Sequence, residues 1–221
     1  MNLDQARFNM VEQQIRPWDV LDQTVLDTFR FLPREKFVPT AWQNLAFADI
    51  EIPLDHNENM MFPRVEARML QELAITPTDQ CLEIGTGSGF VTACIATLGQ
   101  HVDSVDIYSE FSLQAESILN SINITNFSLY NDDASHGWQG IPAKLYDAIA
   151  VTGSLPEYIT AFEQRLAPGG RLYITVGQRS VMYAMLIERD KEEENVFHRK
   201  TLFETWLKPL VGAEVMPSFQ F

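Results

Sequence analysis

Five residues, Gly85-Thr86-Gly87-Ser88-Gly89, separate a short apolar run, Cys81-Leu82-Glu83-Ile84, from an apolar stretch over residues 90–98. Read as strand, turn and helix, this is the most restrictive feature of the chain. Glycines at such a turn let backbone N–H groups approach a ligand closely at the positive end of a helix. The segments that follow keep the alternation. Residues 102–107 predict a strand, 110–122 a helix, and 127–130 and 145–152 two strands. Residues 156–166 predict a helix with Pro156 in its first turn, and Pro168-Gly169-Gly170 a stop and turn before a strand over 171–176. Two more strand-like runs, 182–187 and 202–210, flank the charged residues 188–194, which read as a solvated hairpin loop. The expected fold is α/β, a doubly wound and mostly parallel sheet with an antiparallel C-terminal edge.

Before Pro77 the texture is helical. Residues 4–15 and 22–32 carry apolar positions at helical spacing and end at Pro17 and Pro33. Residues 39–47 predict a short third helix, 48–63 an irregular loop, and 64–74 a further helix. The change at Pro77 divides one compact unit into N-terminal helices with a loop, residues 1–76, and a sheet domain, residues 77–221. On this division, a chain trimmed to begin near Pro77 is expected to keep the ligand contacts of the sheet.

Charge narrows the function. Lys and Arg total 16 against 30 Asp and Glu, a net charge of −14. Such a chain lacks the basic face needed to bind a nucleic acid backbone, and it is not drawn to an anionic membrane. No window approaches the ~20 apolar residues of a membrane span. No apolar run follows the mixed-charge N-terminus, so a signal peptide is not expected and a cytoplasmic location is. Cys81 and Cys94 lie in apolar stretches and read as buried, reduced core residues; no metal site is expected. His56, His101, His136 and His198 are scattered and are not expected to be catalytic.

Acidic residues mark the ends of three successive strands. Glu83 stands two residues before the first glycine, Asp106 closes the next strand, and Asp132-Asp133 the third. In a doubly wound sheet these ends face one crevice. A carboxylate at the second can accept both hydroxyls of a ribose, and one at the third can accept from an adenine amino group. Singly, each acid reads equally well as a helix N-cap or a solvated loop end; around one glycine turn they point to adenosine. The dinucleotide pattern G-x-G-x-x-G would need glycine at position 90, which is Phe90.

The run Leu82-Glu83-Ile84-Gly85-Thr86-Gly87-Ser88-Gly89-Phe90 resembles motif I of the class I S-adenosylmethionine-dependent methyltransferases. The whole chain is similar to protein-L-isoaspartate O-methyltransferases. The similarity includes Pro33-Arg34-Glu35-Lys36-Phe37-Val38-Pro39, Ala67-Arg68-Met69, Asp133-Ala134-Ser135-His136-Gly137-Trp138, Tyr146-Asp147-Ala148-Ile149, Leu166-Ala167-Pro168-Gly169-Gly170-Arg171-Leu172 and Lys208-Pro209-Leu210, in unbroken order over about residues 10–212. The resemblance implies a Rossmann-like S-adenosylmethionine-binding domain, with S-adenosyl-L-homocysteine as the spent product and an N-terminal helical addition over the active site. It implies a peptide or protein substrate bearing isoaspartyl residues, and a role in protein repair. Carried over by position, Glu83, Gly85, Thr86, Gly87, Ser88 and Gly89 line the cofactor, Asp106 with Ile107 the ribose, and Asp133 with Ala134 the adenine.

One segment departs from that pattern. The family's loop before Ala67-Arg68-Met69 carries Thr-Ile-Ser-Gln-Pro, whose hydroxyls lie near the transferred methyl group and the substrate carboxylate. Here the positions read Asn59-Met60-Met61-Phe62-Pro63. Asn59 and Met61 therefore occupy the catalytic positions, with Asn59 able to donate from its amide in place of one hydroxyl. The alternative is that Met60, Met61 and Phe62 make an apolar, adaptable floor for another methyl acceptor, or simply pack the loop. Isoaspartyl methylation, methylation of a different acceptor, and cofactor binding without catalysis all remain open on the sequence.

Overall fold

The computed structural model describes residues 2–178 and 181–213; the part of the expected sheet domain over 214–221 lies outside the described residues. Helix α1 (Leu3–Asn9) starts where the Asn2 side chain accepts from the N–H groups of Asp4 and Gln5. It runs into a wider π turn, Met10–Ile15, that buries Met10, Val11 and Ile15. Asp22 caps α2 (Gln23–Phe31) in the same way. The expected third helix is a 3₁₀ segment, Thr40–Leu45. Within the irregular stretch, β1 (Ile52–Pro53) and β2 (Asn59–Met60) pair as a small antiparallel hairpin. Helix α3 (Pro63–Leu73) opens on a proline and ends at Ala74 in the left-handed conformation.

Then follow β3 (Gln80–Ile84), α4 (Phe90–Leu98), β4 (His101–Asp106), α5 (Ser109–Ser121), β5 (Phe127–Asn131), β6 (Tyr146–Leu155), β7 (Leu166–Gln178), β8 (Val181–Arg189) and β9 (Phe197–Thr205). Their order in the sheet is β5-β4-β3-β6-β7-β8-β9. The first five strands are parallel, and β8 and β9 form an antiparallel edge. From β3 the chain first works outward through β4 and β5. It then returns to the other side through β6. A crevice opens at such a reversal, beyond the strand ends.

Two apolar layers cover the sheet. One contains residues of the N-terminal segment and of α2, α3, α4 and α5, including Met10, Phe29, Phe37, Leu70, Phe90 and Leu119. The other joins Leu82, Ile84, Val105, Ile149, Val151 and Ile174 to Trp138 and Phe162, which belong to connecting segments. The helix expected over 156–166 does not form. After Pro156 the chain turns, makes one 3₁₀ turn at Glu163–Arg165, and enters β7 at Leu166. Two buried charged side chains account for that path. Glu163 accepts from Arg199 of β9 and from Tyr158, and Arg165 donates to the carbonyl of Ile141 at 2.7 Å. These long-range bonds outweigh a local helical preference. The stop expected at Pro168-Gly169-Gly170 is instead an irregularity inside β7. The pairing with β6 slips between Tyr146↔Leu166 and Ala148↔Arg171. The last expected strand is also displaced: β9 ends at Thr205, and residues 207–210 leave the edge to run beside Ser154. There the Ser154 N–H donates to the Lys208 carbonyl and Leu210 N–H to the Ser154 carbonyl, each at 2.9 Å.

Phe90 of α4 is 1% exposed and meets the rings of Phe29 and Phe37 edge-on, at 5.5 and 5.6 Å between centroids. Residues 1–76 thus complete the core of the sheet's helical layer. A chain trimmed to Pro77 exposes that face of α4. Contrary to the expectation from sequence, it should lose cooperative thermal unfolding when followed by circular dichroism; a sharp melt near that of the full chain would show that the sheet folds alone.

Candidate active site

The cleft lies beyond the ends of β3, β4, β5 and β6 and encloses about 940 Å³, its open mouth included. The glycine turn forms its floor. Gly85 has φ +99°, and a Cβ there would stand 2.3 Å from Oγ1 of Thr152. No residue but glycine fits. Gly87 has φ +49°, and a Cβ there would only touch Leu54, at 3.6 Å; its own N–H is turned to the Asp106 carboxylate. Gly89 does not line the cleft. It begins α4 in the left-handed conformation, and a Cβ would lie 2.7 Å from that of Ala115. The structure places it, a residue expected at the cofactor, at the packing of α4 on α5.

Glu83 is fully buried beneath this turn. Its Oε2 accepts from Thr92 Oγ1 at 2.5 Å and Ser104 Oγ at 2.6 Å, while its Oε1 is buried without a partner. Burial pushes the carboxyl up to about 8, against the pull of the two hydroxyls. The Thr86 hydroxyl turns inward to Ser104, at 2.6 Å, and the Ser88 hydroxyl accepts from the N–H of Phe90. These two residues therefore offer the cleft mainly their backbone.

Asp106 ends β4 with its carboxylate fixed by backbone donors: Gly87 N–H to Oδ2 at 2.8 Å and Tyr108 N–H to Oδ1 at 2.9 Å. Burial raises its pKa despite both bonds. Ile107 borders it and is partly exposed. At the end of β5 the two acids separate. Asp132 accepts from the Trp138 indole at 3.0 Å and from Asp133 N–H. Asp133 accepts from Ser135 N–H at 2.9 Å, which holds its pKa below the usual range. Ala134, buried, lines the cleft beside them.

Asn59 and Met61 also line the cleft, Asn59 exposed and Met61 buried. The Met61 carbonyl accepts from Arg34 Nη2 at 3.3 Å. Arg34 is fully buried. It pairs with Glu66, donates to the Ala46 carbonyl at 3.1 Å, and places its guanidinium 4.4 Å from the centre of the Phe90 ring. Burial raises Glu66 against that pairing. Sequence reading missed Glu66, Thr152 and Glu58 on the cleft. Glu66 lies 32 residues from Arg34, so no local pattern joins them. Cys81 and Cys94 are free and buried, as expected, and burial raises both thiols.

The site fits a nucleoside sulfonium. A buried Glu83 oxygen without a partner and, at the end of the neighbouring strand, the backbone-held carboxylate of Asp106 suit the amino and hydroxyl donors of such a ligand. Fold and site together define a Rossmann-like methyltransferase that uses this cofactor. The model of the family Protein-L-isoaspartate(D-aspartate) O-methyltransferase matches residues 5–214. A protein-L-isoaspartate O-methyltransferase of Aliivibrio fischeri is 32% identical over 211 residues, 95% of this chain and 98% of its own. Among solved structures, a protein-L-isoaspartate O-methyltransferase aligns at TM-score 0.77 and 20% identity, over 92% of this chain and 65% of that one. A Plasmodium falciparum protein assigned the same activity, in complex with S-adenosyl-L-homocysteine, aligns at TM-score 0.78 and 19% identity, over 91% and 96%. The chain belongs to the protein-L-isoaspartate O-methyltransferase family. Among the described residues no helix is long and apolar enough to cross a membrane, and no group of three or more His, Cys, Asp or Glu is placed to hold a metal ion.

The raised Glu83 carboxyl has a consequence for stability. Unfolded, Glu83 ionises near its ordinary value of 4.5; folded, near about 8. Between those values the folded state holds the extra proton, so this group's contribution falls as pH rises through the window and levels off above it. Urea melts from pH 5 to 8 should show a shallower fall for Glu83→Gln than for the wild type. Parallel profiles would place Glu83 in a more solvated setting.

Proposed function

We propose that this chain transfers the methyl group of S-adenosylmethionine to the free α-carboxylate of isoaspartyl residues in peptides and proteins, and that it works in the cytoplasm. The observation that supports it most is the single cleft that joins the family's glycine turn and strand-end acids to the acceptor loop at 59–61. The bound cofactor supplies an electrophilic methyl group on a sulfonium sulfur. Glu83 and the backbone of residues 85–88 hold its amino-acid end, Asp106 its ribose, and Asp133, the acid of its pair not tied to Trp138, its adenine. An α-carboxylate has a pKa of about 3.3–3.7 and is already ionised at neutral pH. The chain therefore needs to orient a nucleophile and exclude water, with no base to remove a proton. Charge fades on both reactants toward the transition state, so a strong bond to the carboxylate favours the ground state. Asn59 acts as an orienting donor, and Met60 and Met61 keep the loop side of the cleft apolar.

Radiolabelled methyl transfer to paired isoaspartyl and aspartyl peptides tests this reading. Transfer should be selective for the isoaspartyl peptide; equal labelling of the two would indicate a different acceptor. Asn59→Thr with Met61→Ser, made together because neighbours in one loop are rarely additive, should raise the rate roughly 10-fold if hydroxyls orient the nucleophile. Met61 is buried, so the double variant needs a melting curve beside its kinetics. A flat rate in a folded variant would leave orientation to other groups.

Asp106→Ala should weaken cofactor binding by about 1.5–3 kcal/mol through loss of charge-assisted bonds to the ribose hydroxyls. Calorimetry with S-adenosylhomocysteine showing unchanged affinity would take Asp106 out of the site.

A further inference from the structure

Lys208 is the one basic side chain that lines the cleft among the described residues; the charged side chains around it are carboxylates. Most of those carboxylates are already held. Arg34 pairs with Glu66, backbone N–H groups hold Asp106, and Trp138 and Ser135 hold Asp132 and Asp133. Glu58 is different. Its Oε1 sits 2.7 Å from the Lys208 ammonium, and both side chains reach solvent, with 21% and 24% exposure. The same ammonium donates to the Asn57 carbonyl. An ammonium has three protons, so these two bonds leave one uncommitted.

Position in the fold gives the pair its meaning. The carbonyl of Lys208 is fixed by Ser154 N–H near the end of β6. Two residues earlier, the Thr152 hydroxyl donates to the Gly85 carbonyl at 2.8 Å. Lys208 thus stands on the β6 side of the glycine turn, across from Asp106 and Asp133 on the β4 and β5 side. A cofactor whose adenosine lies at those acids extends across the turn toward β6. The acceptor loop with Asn59 follows Glu58 directly.

We propose that Lys208 binds the acceptor carboxylate, and that Glu58 occupies the ammonium until an isoaspartyl carboxylate displaces it. The inference rests on the isoaspartyl reading of this site. It supplies a countercharge that an anionic acceptor needs in a cleft of carboxylates. It also explains how an acceptor site without loop hydroxyls selects a carboxylate. A neutralising partner of this kind acts on binding. Its pull on the nucleophile weakens as charge fades, so its loss should appear in KM and leave kcat unchanged or higher.

The two members of the pair separate this role from a mere clamp on the loop at 55–58. Steady-state methyl transfer to an isoaspartyl peptide should show KM raised about 10- to 100-fold in Lys208→Met, with kcat not reduced and with Lys208→Arg close to wild type. Glu58→Gln should lower KM, because the ammonium is freed. If Glu58→Gln and Lys208→Met both raise KM, the pair is a clamp and the inference is overturned. Peptide binding to the protein saturated with S-adenosylhomocysteine reads Lys208 without methyl transfer. Equal peptide affinity in wild type and Lys208→Met, or no binding by the wild type, also overturns it. Binding that depends on Lys208, without transfer, overturns only the methylation reading.

Discussion

The approach of Gly85 to Thr152 governs how the rest of the site is assembled. The Thr152 hydroxyl donates to the carbonyls of both Ile84 and Gly85, at 2.8 Å each, and fills the space a Cβ would take. This locks β6 against the end of β3 and turns the chain with φ +99°. Four residues on, Gly89 makes a comparable approach to Ala115, which seats α5 beside α4. With both helices placed, the end of β4 comes close enough for Asp106 to accept from Gly87 N–H. A side chain at Gly85 or Gly89 would meet both a collision and a backbone conformation costing about 1–3 kcal/mol. The turn is therefore a joint between two strands and two helices as well as a ligand floor.

Electrostatics of the cleft follow from what that joint buries. Glu83 and Asp106 both sit under or beside the turn, and burial raises both. Glu83 keeps one oxygen without a partner, an arrangement that is costly unless a donor or cation arrives. A sulfonium with an amino group suits such a place. Ionised acids on the cleft, such as Asp133, oppose an anionic acceptor, so one cleft has to attract a cation at its centre and an anion at its edge. Lys208, tied to Glu58 at the rim, separates these two demands in space.

The sequence makes the parallel half of this fold legible because its signals are local. Helix α4 matches the expected span, Phe90–Leu98, and β3, β4, β5 and α5 fall within a residue or two of expectation, since an apolar strand, a glycine turn and an amphipathic helix each announce themselves in a few residues. The strand-end placement of the acids is legible for the same reason: each stands at or beside the end of its strand. What failed depends on distant contacts. The helical spacing over 156–166 is overruled by Glu163 reaching Arg199 on β9. Gly169, a turn by composition, is absorbed as an irregularity because β6 continues past it. Glycine at position 89 matched the motif, yet only its packing on Ala115 shows that it serves the helix start.

The loop at 59–61 shows how side chains can diverge on a fixed frame. Its path at Met61 is set by Arg34, which binds the Met61 carbonyl rather than its side chain. Arg34 is itself held by Glu66, by the Ala46 carbonyl and by the face of Phe90. Removing one partner from a buried ion pair leaves the other charge uncompensated, so such a set resists piecemeal change. No member of it depends on the side chains at 59 or 61. Hydroxyls can give way to an amide and a thioether there while the backbone keeps its course. The family frame and an altered acceptor surface are therefore compatible in one chain. The work of selecting a carboxylate can then pass from loop hydroxyls to a cation carried on the segment beside β6.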